Sequence, residues 1–316
     1  MQHWTSLTEV PAGTPSVVTI GKFDGVHLGH QALLKATTDY AKANSLRSVC
    51  LTFDRHPDAL FAPDRVRQAL TGPTQKAQLV AAAGIDALLV LPFDRALADL
   101  AAEDFVTQIL VGKLNAKHVV LGEGFRFGAG GSGDETLLRQ LGERLGFTVE
   151  SIAPVVVDGH RVSTSRVRDL LDEGNVVGAS RLLGRRHTTQ GIVEHGLKLG
   201  RQLGFPTANL SRDSEGFLPL DGVYSGWLFV DGERFPAALS VGINETIQAV
   251  PRLIEAHVLD RKDLDLYDKT VTLEYVSFLR PAAKFDGIET LIKAIGDDCD
   301  RIREILAVDA AATPAS

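Results

Sequence analysis

Short apolar segments alternate with helical segments through the first half of the sequence, and this alternation restricts the fold more than any other feature. The apolar segments, rich in Val, Ile and Leu, lie at 16–20, 48–53, 87–91, 117–121 and 147–152. Segments with helical periodicity separate them, at 31–44, 75–83, 103–114 and 134–145. Strands that are apolar on both faces are typical of a parallel sheet covered by helices on both sides. The pattern therefore predicts an α/β domain whose ligands bind beyond the carboxyl ends of the strands.

The segment that joins the first predicted strand to the first predicted helix combines glycines with two histidines, His27 and His30. Glycine lets the backbone approach a ligand, and a helix N-terminus offers N–H groups and partial positive charge to a phosphate. We predict a phosphate-binding turn and not a metal site, because no Cys, His or carboxylate set completes a zinc-like pattern. The residues assigned to this turn are Gly21, Phe23, Asp24, Gly25, His27, Gly29 and His30.

Three later segments carry chemistry that suits a phosphate ligand. Residues 54–57 contain His56, which by itself is more often structural than functional. Six of the twelve residues from 122 to 133 are glycine, and this loop also holds aromatic residues typical of buried positions. Residues 162–168 begin a short helix that hydroxyls can cap, with two arginines at a spacing suited to phosphate. Because no P-loop pattern is present, these segments predict a nucleotide site of another kind.

The pattern changes near residue 184, and the second half predicts antiparallel strands followed by one helix. Predicted strands lie at 189–195, 222–230, 234–241, 253–260 and 270–279, and helical periodicity returns at 288–306. Asp231-Gly232, between two of the strands, is a hairpin signal. We predict a small antiparallel β-barrel with a C-terminal helix. A chain of 316 residues is long for one core, so we divide it into domains at 1–183 and 184–316.

The loop at 200–210 is the chemical centre of the second half. Glycine and proline restrict its backbone, while Thr207 and Asn209 present oxygens on the same side of an extended segment. Such oxygens suit Mg²⁺, which takes few protein ligands together with phosphate oxygens and water. A structural turn is the commoner interpretation of a short Pro-Thr-Ala-Asn string, so the functional assignment depends on the longer pattern.

Charge and composition exclude several other classes of protein. The formal net charge is −7, which does not favour nucleic acid or an anionic membrane as a partner. No apolar run reaches the length of a membrane span, and the N-terminus lacks the pattern of a signal peptide. Cys50 and Cys299 lie far apart in apolar patterns, as expected of buried thiols in a reducing compartment. We expect a cytoplasmic protein with small-molecule partners, monomeric or weakly homo-oligomeric.

Two segments of the first half together resemble a known pair of signatures. Residues 21–30 resemble the HxGH signature of the nucleotidyltransferase superfamily, and residues 162–168 resemble its second signature, Ser-Ser-Thr-x-x-Arg. Their order and separation are similar to the FMN adenylyltransferase module of bacterial bifunctional riboflavin kinase/FAD synthetases. The resemblance implies a Rossmann-like nucleotidyltransferase domain whose turn binds ATP phosphates together with Ser163, Thr164, Ser165, Arg166 and Arg168. It also implies a flavin-binding loop that contains His56, Gly124, Phe125 and Phe127.

Four segments of the second half resemble riboflavin kinases. Residues 200–210 resemble the signature GRxLGFPTAN, and residues 191–196, 222–224 and 254–260 match other parts of that family. The resemblance implies that Glu255 is a general base for the ribityl 5′-hydroxyl of the flavin, a role that suits a carboxylate beside a metal-bound triphosphate. It also implies Mg²⁺ ligands at Thr207 and Asn209, and ATP contacts at Gly191, His195, Gly196, Gly200, Gly204, Pro206, Thr207 and Asn209.

The two resemblances cover nearly the whole chain and imply two successive reactions. The second domain would transfer the γ-phosphoryl group of ATP to riboflavin, giving FMN. The first domain would join FMN to AMP from a second ATP, giving FAD and pyrophosphate without a covalent enzyme intermediate. His27, His30, Arg166 and Arg168 would stabilise charge on the phosphates as it moves toward the leaving group. Mg²⁺ is the expected cofactor, and ATP, riboflavin and FMN are the expected substrates.

The sequence departs from the family at several positions. Asp or Asn is usual where Gly124 stands, and Arg55 replaces a proline. In the kinase half, Glu245 and Ile247 replace Pro and Phe, and Asp268 replaces Gly. We expect both activities, with the adenylyltransferase the more vulnerable, because the missing side chain at 124 would help to hold substrate. Two alternatives stay open: a chain with riboflavin kinase activity alone, and a flavin- or nucleotide-binding regulator without catalysis.

Overall fold

The described residues of the structure, a computed structural model, pack as two separate units. They are residues 1–56, 58–62, 64, 67–195, 203–242, 252–261 and 263–312. Packing divides the chain into Met1–Ser163 and Thr164–Ser316. The domain boundary at 183 lies beyond this division and stays a prediction. Across the ranges given above, no helix has both the length and the apolar character needed to cross a membrane.

Six parallel strands form the main sheet of the first unit. They are β1 (Gln2–Trp4), β2 (Ser16–Ile20), β3 (Arg47–Phe53), β4 (Ala87–Leu91), β5 (Ala116–Gly122) and β6 (Thr148–Ile152). Their order in the sheet is β1-β4-β3-β2-β5-β6, and every neighbouring pair is parallel. The five predicted strands are confirmed, whereas β1 is too short to show a period in the sequence. A short antiparallel hairpin, β7 (Val156–Val157) and β8 (His160–Arg161), follows the sheet.

Helices cover both faces of this sheet. They are α1 (Leu28–Asn44), α2 (Asp58–Phe61), α3 (Pro73–Ala82), α4 (Arg95–Ala98), α5 (Ala102–Asp104) and α6 (Glu135–Leu145), with a π-helix (Phe105–Val111) after α5 and a 3₁₀-helix (Ala129–Gly131) before α6. Successive strand residues belong to opposite apolar clusters: Val18 packs with α6 residues, and Val17 packs with α1 residues. This alternation confirms the predicted sheet with two buried faces. The segment at 103–114 is helical as predicted, but most of it is π-helix.

A closed barrel of six antiparallel strands forms the centre of the second unit. The strands are β9 (Thr188–Glu194), β10 (Ala208–Leu210), β11 (Gly222–Val230), β12 (Glu233–Gly242), β13 (Leu253–Val258) and β14 (Thr270–Pro281). Their order around the barrel is β10-β13-β12-β11-β14-β9. Helices α7 (Thr164–Asp172) and α8 (Val176–Leu183) precede the barrel, and α9 (Ile288–Ala312) follows it. The predicted barrel with a C-terminal helix is confirmed, and the structure adds β10.

Helix α9 is held to the barrel by an apolar cluster and a partly buried group of charges. Trp227 of β11 packs in the same cluster as Ile302 of α9. The Asp309 carboxylate, also on α9, accepts a hydrogen bond from Trp227 Nε1 at 2.8 Å and forms an ion pair with Arg186. The same guanidinium binds Glu274 of β14 at 2.8 Å. These contacts tie the end of the helix to two strands.

We expect Asp309→Ala to lower the free energy of unfolding of the second unit by about 2–3 kcal/mol, because Arg186 and Trp227 both lose a partner in a partly buried place. Urea unfolding can be followed by Trp227 fluorescence in a background that carries Trp4→Phe. Asp300→Ala is the matched control, since its salt bridge on α9 is exposed and its loss should change stability by less than about 0.5 kcal/mol. Equal effects of the two variants would contradict this account of the helix.

Candidate active sites

The turn between β2 and α1 holds its backbone in conformations that few residues adopt. Phe23 and Val26 have φ angles of 47° and 38°, in the left-handed region that residues with a side chain rarely occupy. Gly25 has a φ of 80°, and a Cβ atom at this position would lie 2.6 Å from Leu70 Cδ1. Such conformations persist only where surrounding contacts hold them, and they cluster at functional sites.

The carboxylate of Asp24 ties this turn to the segment that leads into α3. Its Oδ1 atom accepts hydrogen bonds from Leu70 N at 2.8 Å and Thr71 N at 3.3 Å. The hydroxyl Oγ1 of Thr71 in turn accepts a hydrogen bond from Gly25 N at 3.1 Å. Asp24 therefore holds the predicted phosphate-binding turn in place through backbone amides.

His27 and His30 lie at the start of α1, with their ring centroids 3.7 Å apart and their planes 14° apart. His27 is the N-cap, and its Nδ1 accepts a hydrogen bond from His30 N at 3.3 Å, so the proton of the neutral ring is on Nε2. A Cβ atom at Gly29 would lie 3.2 Å from His27 Cε1, so a larger residue there would press on this ring. His30 Nδ1 is buried and, among the described residues, has no hydrogen-bond partner.

Burial keeps His30 neutral. Loss of hydration lowers the pKa of His30 well below its usual value, and the nearby charges of His27 and Lys76 lower it further. His30 can therefore donate an N–H to a phosphate without supplying positive charge at neutral pH. Lys76, on α3, is a neighbour that the sequence pattern does not single out. A lysine among the apolar positions of a helix that packs on a buried sheet is the signal that could have found it.

The loop after β3 lies beside the loop after β2, as expected for neighbouring strands of a parallel sheet. The contact is between His56 Nε2 and Lys22 Nζ. On the other side of the same ring, His56 Nδ1 lies 3.3 Å from Asp58 Oδ2. His56 Nδ1 also accepts a hydrogen bond from Asp58 N at 3.1 Å, which holds the ring against the start of α2. Pro57 lies outside the described residues.

The glycine-rich loop after β5 is packed and ordered by its aromatic residues. Phe127 is buried, with its ring centroid 6.2 Å from that of Phe125 and 5.9 Å from that of Phe105. Phe127 and Gly133 exchange backbone hydrogen bonds of 3.1 and 2.8 Å. Gly124, at the start of the loop, is exposed, has a φ of 79° and has no atom within 4 Å of its Cβ position. A side chain at 124 would therefore have room.

The segment predicted as a second phosphate-binding element begins α7. Val167 and Leu171 are the buried residues of this helix, and Arg166 and Arg168 are partly exposed. Ser163 ends the first unit, and the division between the units falls directly after it. The remaining residues of this element, Thr164, Ser165, Arg166 and Arg168, belong to the second unit.

Strand pairing in the barrel places Asn209 of β10 directly opposite Glu255 of β13. Thr207 precedes Asn209 by two residues and donates a hydrogen bond to the Glu255 carboxylate. Burial raises the pKa of Glu255, and the hydrogen bond from Thr207 acts in the opposite direction. Three oxygen-bearing side chains that are distant in the sequence therefore meet on neighbouring strands.

A cleft opens beside these residues, with walls that include Pro206, Thr207, Arg261 and Tyr267. The carbonyl of Pro206 accepts a hydrogen bond from His257 Nδ1 at 2.8 Å, which holds the loop against β13. Of the three oxygen-bearing residues, Thr207 lies in the wall of the cleft, whereas Asn209 and Glu255 alternate along their strands with Ala208 and Ala256, which also line it.

The other predicted ATP contacts of the barrel are partly described. His195 stacks on Tyr267 with ring centroids 4.0 Å apart. Gly191 is closely packed, because a Cβ atom there would lie 2.8 Å from Ser214 Cβ. Gly204 has a φ of 90° and forms part of the turn before β10. The positions outside the described residues are Gly196, Gly200, Glu245 and Ile247.

A parallel-sheet unit with a histidine turn at its strand ends, followed by a barrel with a partly buried carboxylate beside Thr207 and Asn209, defines a two-domain nucleotide-dependent transferase. The family model described as FAD synthetase matches residues 10–166, and the model described as riboflavin kinase matches residues 183–306. The chain therefore belongs to the bifunctional riboflavin kinase/FMN adenylyltransferase family.

Two relatives illustrate this membership. The bifunctional riboflavin kinase/FMN adenylyltransferase of Pseudomonas fluorescens is 37% identical over 93% of this chain and 94% of its own length. The protein of the same name from Escherichia coli K12 is 35% identical over 89% of this chain and 90% of its own length. Both alignments span the two units, so the order of the domains is shared.

A solved structure supports the fold. A crystal structure described as a macrolide-efflux protein from Streptococcus pneumoniae has a TM-score of 0.84 and is 28% identical, covering 95% of this chain and 98% of its own. The likeness extends over both the parallel-sheet unit and the barrel.

We expect His30 to stay neutral throughout the physiological pH range, because burial disfavours the charged imidazolium. An NMR titration of the imidazole carbons should show a midpoint well below that of an exposed histidine. The spectrum of His30→Gln identifies the resonances of this ring. A midpoint at or above the usual histidine pKa would contradict the assignment of His30 as a neutral donor.

Proposed function

We propose that this chain makes FAD from riboflavin in two ATP-dependent steps, with one step in each unit. The second unit phosphorylates riboflavin to FMN, and the first transfers AMP from ATP to FMN with release of pyrophosphate. The observation that carries the proposal is the pairing of Asn209 with Glu255, whose carboxylate also interacts with Thr207. The two halves of the chain match the two family models.

In the phosphorylation step, Glu255 accepts the proton of the ribityl 5′-hydroxyl while that oxygen attacks the γ-phosphorus of ATP. The bond between the γ-phosphorus and the bridging oxygen breaks, and ADP leaves with its electron pair. The raised pKa of Glu255 makes it a stronger base than an exposed glutamate. The hydrogen bond from Thr207 opposes that shift and favours the ionised form that must accept the proton.

The oxygens beside Glu255 suit Mg²⁺. Within the ranges that the structure describes, no group of three or more His, Cys, Asp or Glu side chains could hold a metal ion. Thr207 and Asn209 offer a hydroxyl and an amide oxygen, and Mg²⁺ completes such a small set with phosphate oxygens and water. A hydroxyl can bind a cation through a lone pair and still donate its proton to a carboxylate. We assign these two residues as its ligands, where the ion would neutralise triphosphate charge.

In the adenylylation step, an oxygen of the FMN phosphate attacks the α-phosphorus of ATP. The bond from the α-phosphorus to the bridging oxygen breaks, and pyrophosphate leaves with the electron pair. His27 and His30 donate N–H groups to the phosphates, His30 as a neutral ring, and positioning supplies much of the remaining acceleration. The family resemblance assigns Ser163, Thr164, Ser165, Arg166 and Arg168 to further phosphate oxygens. The flavin side of the site is assigned to His56, Gly124, Phe125 and Phe127.

Product analysis with riboflavin as the sole flavin tests the whole proposal. The protein is incubated with riboflavin, ATP and Mg²⁺, and the flavins are separated by chromatography. FMN should form first and FAD should follow. Accumulation of FMN without FAD, also when FMN is supplied, would instead support a kinase alone, an alternative that the missing side chain at Gly124 favours. Flavin binding with no turnover would identify a regulator.

Glu255→Gln should lower kcat for riboflavin phosphorylation by about 100- to 10,000-fold, because it removes the general base. Adenylylation of supplied FMN should continue in the same sample. Glu194→Gln is the matched control: Glu194 is exposed and lies opposite Asn209 on the other neighbouring strand. Because the pKa of Glu255 is raised, the acidic limb of kinase activity should lie at higher pH than an ordinary glutamate would give. If Glu194→Gln loses riboflavin kinase activity and Glu255→Gln does not, Glu255 is not the general base.

Gly124→Asn should raise kcat/KM of adenylylation for FMN by about 3- to 10-fold, the value of one hydrogen bond. The φ of 79° and the open space at this position admit Asn, which tolerates the left-handed region. Gly130→Asn is the control, because Gly130 lies in the same loop with a φ of 61° and no atom within 4 Å of its Cβ position. An equal gain in both variants would show that the effect is not specific to position 124.

A further inference from the structure

Helix α3 places Lys76 close to the histidine turn. The backbone of Leu70 and Thr71, just before the helix, binds the Asp24 carboxylate of the turn. The chain then enters α3, where Lys76 N donates a hydrogen bond to Gly72 O at 2.9 Å. Lys76 therefore lies near the N-terminus of α3, and the segment just before α3 is hydrogen-bonded to the histidine turn. Its position is set by the same contacts that hold Asp24.

The side chain of Lys76 is partly buried, and its charged end is not sealed from solvent. Its neighbours on α3, Ala77 and Val80, pack in the apolar cluster that also contains Phe23. Within the part of the chain that the structure describes, the Lys76 ammonium makes no hydrogen bond and no ion pair. Its nitrogen is accessible to solvent, because it is not among the fully buried polar atoms that lack a partner. A lysine placed in this way covers apolar surface with its stem and directs its charge toward an opening.

The charge of Lys76 acts on His30. The positive charge of Lys76 helps to lower the pKa of His30 and also acts on the buried thiol of Cys50. Burial lowers the pKa of Lys76 itself, whereas the carboxylates of Asp24 and Asp54 act in the opposite direction. Asp24 and His30 follow the carboxyl end of β2 and Asp54 follows that of β3, whereas Cys50 lies within β3.

Other basic residues of these strand ends are engaged elsewhere. Lys22 is exposed and bonds His56, and Arg55 is exposed and pairs with Asp54 at 2.8 Å. Burial keeps His30 neutral, so this ring adds no positive charge. Lys76 can supply positive charge to a polyphosphate bound at this turn, in addition to Arg166 and Arg168, which are assigned to the same phosphates.

We propose that Lys76 is a catalytic residue of adenylyl transfer, and that its ammonium binds the β- and γ-phosphate oxygens of ATP that leave as pyrophosphate. This inference rests on the proposed function of the first unit. As the bond from the α-phosphorus to the bridging oxygen breaks, negative charge builds on the leaving pyrophosphate. A cation at that place stabilises the transition state more than the ground state. Partial exclusion of water strengthens the interaction.

The kinetic test compares Lys76→Met, which keeps the length of the side chain without its charge, with Lys76→Arg. Lys76→Met should lower kcat for adenylylation of FMN by about 100-fold, the usual effect of losing one transition-state stabiliser. The inhibition constant of inorganic pyrophosphate should rise by at least about 10-fold, equal to 1.4 kcal/mol, with inhibition by AMP little changed. Lys76→Arg should retain most of the activity. Lys35→Met is the matched control, because Lys35 is exposed on α1 and pairs with Asp39 at 2.6 Å.

A second readout reports on the position of the charge without relying on turnover. In Lys76→Met the pKa of His30 should rise toward its usual value but stay below it, since burial is the larger cause of its shift. NMR titration of the ring measures this change. Lys35→Met should leave the midpoint where it is. An unchanged His30 midpoint in Lys76→Met would show that the ammonium is not beside the ring, and would overturn the proposal.

The kinetic outcomes separate this inference from the function on which it rests. Riboflavin phosphorylation by each variant, together with thermal unfolding of the first unit, shows whether the chain is folded. If wild type forms FAD and Lys76→Met keeps kcat within about 3-fold, the role of Lys76 is wrong and the function stands. A loss of FMN or AMP affinity with unchanged pyrophosphate inhibition would also overturn it. If wild type forms no FAD from FMN, both the function of the first unit and the role of Lys76 fail.

Discussion

Loss of water around ionisable side chains is the constraint on which both sites depend. In the first unit, burial makes His30 neutral and leaves the charge of Lys76 partly desolvated. In the second unit, burial raises the pKa of Glu255 and so makes it a stronger base. A charge or proton acceptor in such surroundings interacts more strongly than in bulk water, because less solvent screens it. A neighbour can limit such a pKa shift: the interaction with Thr207 lowers the pKa of Glu255, whereas burial raises it.

The two units position these groups by different means. In the parallel sheet, strands that end at one edge bring their loops together, as the contact of Lys22 with His56 shows. In the barrel, antiparallel register places Asn209 opposite Glu255. The first site is thus made of loops, and a position such as Gly124 can vary with little effect on the core. The second is made of strand faces, where a shift of one residue would turn Asn209 away from Glu255.

Periodicity predicted the long elements of both units because each of them buries a continuous apolar face. It failed for β1 and β10, which have three residues each and exist through pairing with β4, β9 and β13. It also predicted an ordinary helix at 103–114, where the structure has mostly π-helix. The histidine turn was predicted from its glycines and its place between strand and helix. The hydrogen bonds from the backbone of Leu70 and Thr71 to Asp24 were not predicted, because no local sequence pattern encodes a contact between segments so far apart.

By itself, the sequence determined the two kinds of domain and the two signature loops, because hydrophobic period and glycine-rich strings are properties of neighbouring residues. Family resemblance then pointed to Thr207, Asn209 and Glu255 before their contacts were known. Only the tertiary structure decided that loss of water raises the pKa of Glu255, that it lowers the pKa of His30 and that the charge of Lys76 acts on His30. These properties depend on burial and on charges carried by segments far apart in the chain, which come together only when the sheet and the barrel close.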